Sequence, residues 1–175
     1  MDVSSTAATT ITIFERLEKL FQIIKDIKDL PNAIQRVGES FPIVLDVVKI
    51  ARDEPNNTEF SGSGYVIGFL KICNTQAKGI GYTFNAIKNA MEHRSEDRNW
   101  STFVDIYREK VRKAGKVEAL MEQILQKLRN LAVRNIFKSH AEALPAIERM
   151  TEAIKAINDA EPPLTDSDIN DSAAT

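Results

Sequence analysis

Reactive side chains are scarce in this chain of 175 residues, which has one cysteine, two histidines and one tryptophan. A single cysteine excludes an internal disulfide and fits a reducing compartment. The histidines, His93 and His140, stand in polar connections far in sequence from Cys73. Cys73 occupies an apolar seam, where a thiol usually serves as a small buried hydrophobe, so no Cys–His nucleophile is expected. HxxxH, CxxC and ExxH spacings are absent, which leaves no obvious metal ligands. Gly62, Gly64 and Gly68 are spaced G-x-G-x-x-x-G, one residue too long for a dinucleotide fingerprint, and no Gly-Lys-Ser/Thr ending follows. They read as a flexible entry to a helix; no cofactor, small-molecule substrate or enzymatic activity is expected.

Charge of one sign is lacking too: 23 basic against 25 acidic residues give a net charge of −2, so no global field points to nucleic acid. No apolar run approaches the roughly 20 residues of a membrane-spanning helix. The longest, Tyr65 to Leu70, already contains Gly68. No basic region followed by an apolar block opens the chain, so a secretion signal is not expected. The acceptor-like triplets beginning at Asn56, Asn99 and Asn170 are read as chance, and a cytoplasmic location is expected.

What the chain has in abundance is apolar residues spaced alternately three and four apart. Ile34, Val37, Phe41, Val44, Val48 and Ala51 form one run. Val66, Leu70, Cys73, Ala77, Ile80, Phe84, Ile87 and Met91 form a second, and Tyr107, Val111, Ala114, Val117, Met121, Ile124, Leu128 and Leu131 a third. Such spacing keeps one stripe on one side of an α-helix and suits bundle packing. The fold class expected is all-α, an antiparallel bundle of four to five helices. Residues 1–9 are small, polar and aperiodic and read as a flexible N-terminus; 10–158 form the bundle; 159–175 hold five acids, no basic residue and Pro162–Pro163, and read as a disordered acidic tail.

Within the bundle, Thr12 and Glu15 have capping-box spacing, and the helix behind them should end near Asp29, before Leu30–Pro31. Asn32 can cap a second helix reaching about Asp53, with Pro42 inside it as a bend or a delayed start. Asp53 to Gly64 is the clearest loop. Gly79 and Gly81 weaken the third helix, which suggests a distortion or a close helix contact there. Trp100 to Phe137 forms one helix of roughly 55 Å or two divided at Gly115. Ser139 and Glu142 precede a last helix carrying Leu144, Ile147, Ile154 and Ile157.

Two faces are candidates for function. The first helix presents Ile13, Phe14, Leu17, Leu20, Phe21, Ile24 and Ile27, a wide apolar face that suits either the core or a lipid interface. Arg108, Lys110, Arg112, Lys113 and Lys116 cluster within Trp100 to Lys138, a stretch with nine basic residues against four acids. Such a cluster either attracts phosphates, on lipid more than on nucleic acid because stacking aromatics are scarce beside it, or simply solvates a helix face.

The strings LPNAIQRVGESFPIVLDVVKIA (Leu30–Ala51) and YREKVRKAGKVEALMEQILQKLRNLA (Tyr107–Ala132), with Leu70-Lys71-Ile72-Cys73 and the amphipathic opening helix, resemble the SesA-type N-terminal domain of fungal NACHT and NOD-like receptor NTPases. The similarity covers roughly residues 10–135; Gly79-Ile80-Gly81-Tyr82 departs from the charged continuation it implies. SesA domains are in turn similar to HeLo and HeLo-like bundles. The resemblance implies a non-enzymatic signalling or effector domain in programmed cell death or heterokaryon incompatibility. It implies a protein partner or self-association, and recruitment on activation to an anionic membrane through the apolar face of the first helix. The alternative is a structural or homotypic interaction module without membrane activity.

Overall fold

The computed structural model describes residues 2–53, 63–93, 98–133 and 143–171. Most of the Asp53–Gly64 loop, the Ser139–Glu142 capping spacing and His140 lie outside them. The elements are α1 (Val3–Ile24), α2 (Asn32–Asp53), α3 (Ser63–His93), α4 (Trp100–Ala114), α5 (Val117–Val133), α6 (Ala143–Asp159) and α7 (Asp166–Asp171), and the described residues contain no strand. These seven helices exceed the four to five expected, because Gly115 divides one segment and the tail adds α7.

α3 is the central post, 31 residues and roughly 46 Å long. α1 runs parallel to it, since Thr10 meets Asn74 and Leu17 meets Gly81. α2 returns antiparallel to α1, and Phe41 stacks edge-on against Phe14, Phe21 and Phe84, joining three helices at one point. α4 and α5 descend α3 as a broken rod. Lys110 of α4 lies 5.1 Å over the Tyr82 ring, and Gln76 donates to Gln123 of α5 at 2.6 Å. α6 climbs back against α5 and α2, tied to the latter by Arg149 and Asp46 at 3.0 Å.

The break in the rod falls at Gly115, which takes φ +98°, a region open to glycine and strained for other residues. Gly79 lets the break sit close to α3: a Cβ there would stand 3.0 Å from Leu120 Cδ1 and 3.2 Å from the carbonyl oxygen of Ala114. The suggestive glycines of α3 thus mark close contacts, and the helix itself is unbroken. α2 likewise continues through Pro42, on its exposed side.

Three expectations need correction. α1 begins at Val3, capped by Asp2, which accepts from the Ser5 amide at 2.7 Å. The small polar segment is helical because Asp2 caps it and its inner side packs into the core, while its hydroxyls are absorbed by carbonyls four residues back: Thr6 to Asp2, Thr9 to Ser5, Thr10 to Thr6 and Thr12 to Ala8. Thr6, Ala7 and Thr10 are buried, and α1 ends at Ile24 rather than near Asp29. In α6 the inward stripe is Ala146, Met150, Ala153, Ile154 and Ile157, while Leu144 is 71% exposed. The tail is ordered in part: Leu164 is buried and α7 packs against α4.

The α1–α2 and α3–α4 connections meet at one pole. Lys28 donates its amide to Arg98 O and accepts from Trp100 N, both at 2.8 Å, and Asp29 takes φ 64° to turn the chain into Leu30–Pro31.

Candidate interaction faces on the first helix and the basic helix

α1 turns its apolar face inward. Phe14, Leu17, Leu20, Phe21, Ile24 and Ile27 are buried, and Ile13 is half-buried at the edge. Phe21 lies flat on the α2 backbone at Gly38, where a Cβ would overlap its ring. Thr10 donates to Asn74 Oδ1 at 2.7 Å, a polar tie between α1 and α3. The outer side of α1 keeps Ile23 40% exposed among Glu15, Lys19, Gln22 and Lys25. Six of the seven residues singled out in the sequence are therefore inside the core, and one of these, Ile27, lies in the turn past the end of α1. No helix among the described residues is long and apolar enough to cross a membrane.

The basic cluster lies on α4 and the turn after it, and much of its charge is already engaged. Arg108 pairs with Asp105 at 2.7 Å, Lys110 and Lys113 share Glu109 at 3.8 and 3.9 Å, and Arg112 Nε donates to the backbone oxygen of Ile169 at 2.8 Å. Lys113 remains well exposed. Tyr107, under this face, is buried and donates to Glu118 at 3.2 Å; burial, and then the Glu118 charge, push its phenol well above the ordinary range. Sequence reading found the cations but missed the segment lying on them. Leu164 and Ile169, two apolar residues among acids, were the available signal.

Cys73 is fully buried, and burial raises its thiol to about 12, so the thiolate that nucleophilic chemistry needs is suppressed. Among the described residues no group of three or more His, Cys, Asp or Glu could hold a metal ion. A cleft of about 640 Å³ opens at the pole beside Asp29, Asn32, Trp100 and Glu161, and its lining holds no cysteine or histidine.

Compared with known families, the chain matches SesA, the N-terminal domain on NACHT NTPases and P-loop NTPases, over residues 7–131. No curated protein and no solved structure matches it significantly.

Proposed function

The chain belongs to the SesA family, and on that premise we propose that it is a non-enzymatic signalling and effector domain of a NOD-like-receptor system, acting in programmed cell death or heterokaryon incompatibility. In this reading activation makes copies of the bundle associate and releases α1, whose apolar face then enters an anionic membrane surface. Family membership carries the proposal, and the form of α1 supports it. A helix of 22 residues, held by apolar packing and the Thr10–Asn74 bond, can exchange a protein core for a lipid interface with little change in the environment of its face.

The test is leakage of dye from phosphatidylserine vesicles by oligomerised protein, with α1 locked in place by Thr10→Cys/Asn74→Cys. Cys73 next door competes poorly for that disulfide, since its thiolate is suppressed. Leakage is expected from the wild type, absent from the oxidised variant and restored on reduction. Leakage that survives the lock, or none from oligomerised wild type, rejects release of α1.

A second reading rests on a specific observation: Phe14, Leu17, Leu20, Phe21 and Ile24 of α1, and Ile27 just beyond it, are already used by the core. A homotypic interaction module whose α1 stays packed is the alternative. It predicts self-association that the oxidised lock leaves unchanged and no lipid dependence.

A further inference from the structure

The segment after α6 crosses the bundle and lies on α4. Leu164 is buried, Ile169 is half-buried against the core, and the carbonyl of Ile169 takes the Nε of Arg112 at 2.8 Å. Its short helix is built to hold its shape. Thr165 donates its amide to Asp168 Oδ2 at 3.2 Å, and the Asp168 amide returns a bond to Thr165 Oγ1 at 3.1 Å, a reciprocal cap. Hydrogen bonding to the carboxyl from the Thr165 side chain, and then from its amide, holds Asp168 below its usual range, and the Arg108 charge adds a smaller push in the same direction. Arg108 also keeps a buried Nε without a hydrogen-bond partner.

Charge gives this docking a consequence. Residues 105–113 carry four cations and two acids, a surplus of two positive charges; the three aspartates of 164–171 exceed that surplus by one. With the segment docked, the Asp168 carboxylate is set against this surplus, close enough for the Arg108 charge to act on it. We propose that residues 164–171 are an intramolecular acidic strap that masks an anionic-membrane-binding face formed by Arg108 and Arg112, with the exposed Lys113 at its edge. Lipid is favoured over nucleic acid because free stacking aromatics are few: Tyr107 is buried with Trp100 packed on it, and Tyr82, 42% exposed, already carries Lys110 over its ring. The proposal rests on the membrane reading above but concerns a different surface from α1.

The experiment is co-sedimentation of the full chain with phosphatidylserine vesicles, alongside hydrogen exchange of the tail amides. Ile169→Glu removes the apolar anchor while making the chain more acidic, so tighter binding by this variant cannot come from net charge. About fivefold per basic residue brought to an anionic surface puts the expected gain for two unmasked arginines at roughly 30-fold, lost at high salt. Tail exchange should accelerate together with the gain. Adding Arg108→Glu and Arg112→Glu should abolish it, and phosphatidylcholine vesicles should show none. Faster exchange without tighter binding overturns the mask, and exchange unchanged in Ile169→Glu overturns the docking. An equal gain toward a single-stranded oligonucleotide overturns the assignment to lipid. Binding gained without leakage upholds the strap and counts only against pore formation by α1.

Discussion

A β-carbon at Gly38 would overlap the Phe21 ring, whereas one at Gly68 would meet nothing within 4 Å. Both glycines lie inside helices, where alanine is favoured by about 1 kcal/mol, so the local preference is the same and only the surroundings differ. Gly68→Ala should therefore raise stability by about 0.5–1 kcal/mol. Gly38→Ala should lower it by about 1–3 kcal/mol, because the buried Phe21 ring, packed on α2 and edge-on to Phe41, would have to be displaced. Urea midpoints of the two variants decide this, and a stabilised Gly38→Ala would mean that Phe21 is free to move. Titration gives a second prediction at this scale. Cys73 and Tyr107 are neutral when protonated, and burial raises both above their ordinary values of 9.0 and 10.0. The native state then resists ionisation more than the unfolded chain. Their contribution is complete below pH 9.0 and is lost as pH rises toward about 12. The melting temperature should fall across this range, more gently in Cys73→Ala/Tyr107→Phe; an equally steep profile in the double variant would assign the loss to other groups.

Each helix reports how far pattern alone can go. The seams of α2, α3 and α5 were legible because each carries large apolar residues at one spacing, and all of these are buried. α1 was legible from Ile13 onward, but its first turns are built largely from Ser, Thr and Ala, whose hydroxyls close on the helix backbone and whose small size gives no hydropathy signal. The register of α6 was obscured by two competing stripes. The aliphatic one, with Leu144, loses in part to a stripe containing Ala146 and Ala153, which approaches α2 and α5 closely. On α4 the candidate patch was legible, and so was its weakening, since Asp105 and Glu109 stand three and four residues from Arg108 and Lys113. The strap was hidden because its acids dominate its composition. α2 carries a prediction of its own. Pro42 is exposed in mid-helix and cannot donate to Gly38 O, so Pro42→Ala restores one backbone bond without touching the core. A gain of about 1–2 kcal/mol in urea denaturation is expected, below the roughly 3 kcal/mol of an unconstrained helix because α2 is already straightened by its packing. A loss would mean that the proline ring itself contributes contacts or shape that α2 needs.

At the scale of the molecule, the family match stops at residue 131, yet the physical unit does not. α6 lays Met150, Ile154 and Ile157 between α2 and α5, with Ala146 and Ala153 beside them. Three large apolar side chains at about 1.5–3 kcal/mol each contribute roughly 5–9 kcal/mol, an upper estimate because the unfolded chain is already partly compact. The whole stability of a domain this size is about 5–15 kcal/mol. Removing α6 thus takes away a share comparable to the total, and it also uncovers the apolar flanks of α2 and α5. A chain ending at Val133 should lose its cooperative thermal transition, bind a hydrophobic dye and aggregate, although it spans the entire matched region. Met150→Asp in the full chain should act in the same direction by placing a charge in that interface. If the shortened chain melts cooperatively within a few degrees of the full one, α6 is an accessory resting on a self-sufficient five-helix core. In that case the strap that continues from α6 is hung from a support the bundle does not require, and only the tail's own contacts with α4 hold it in place.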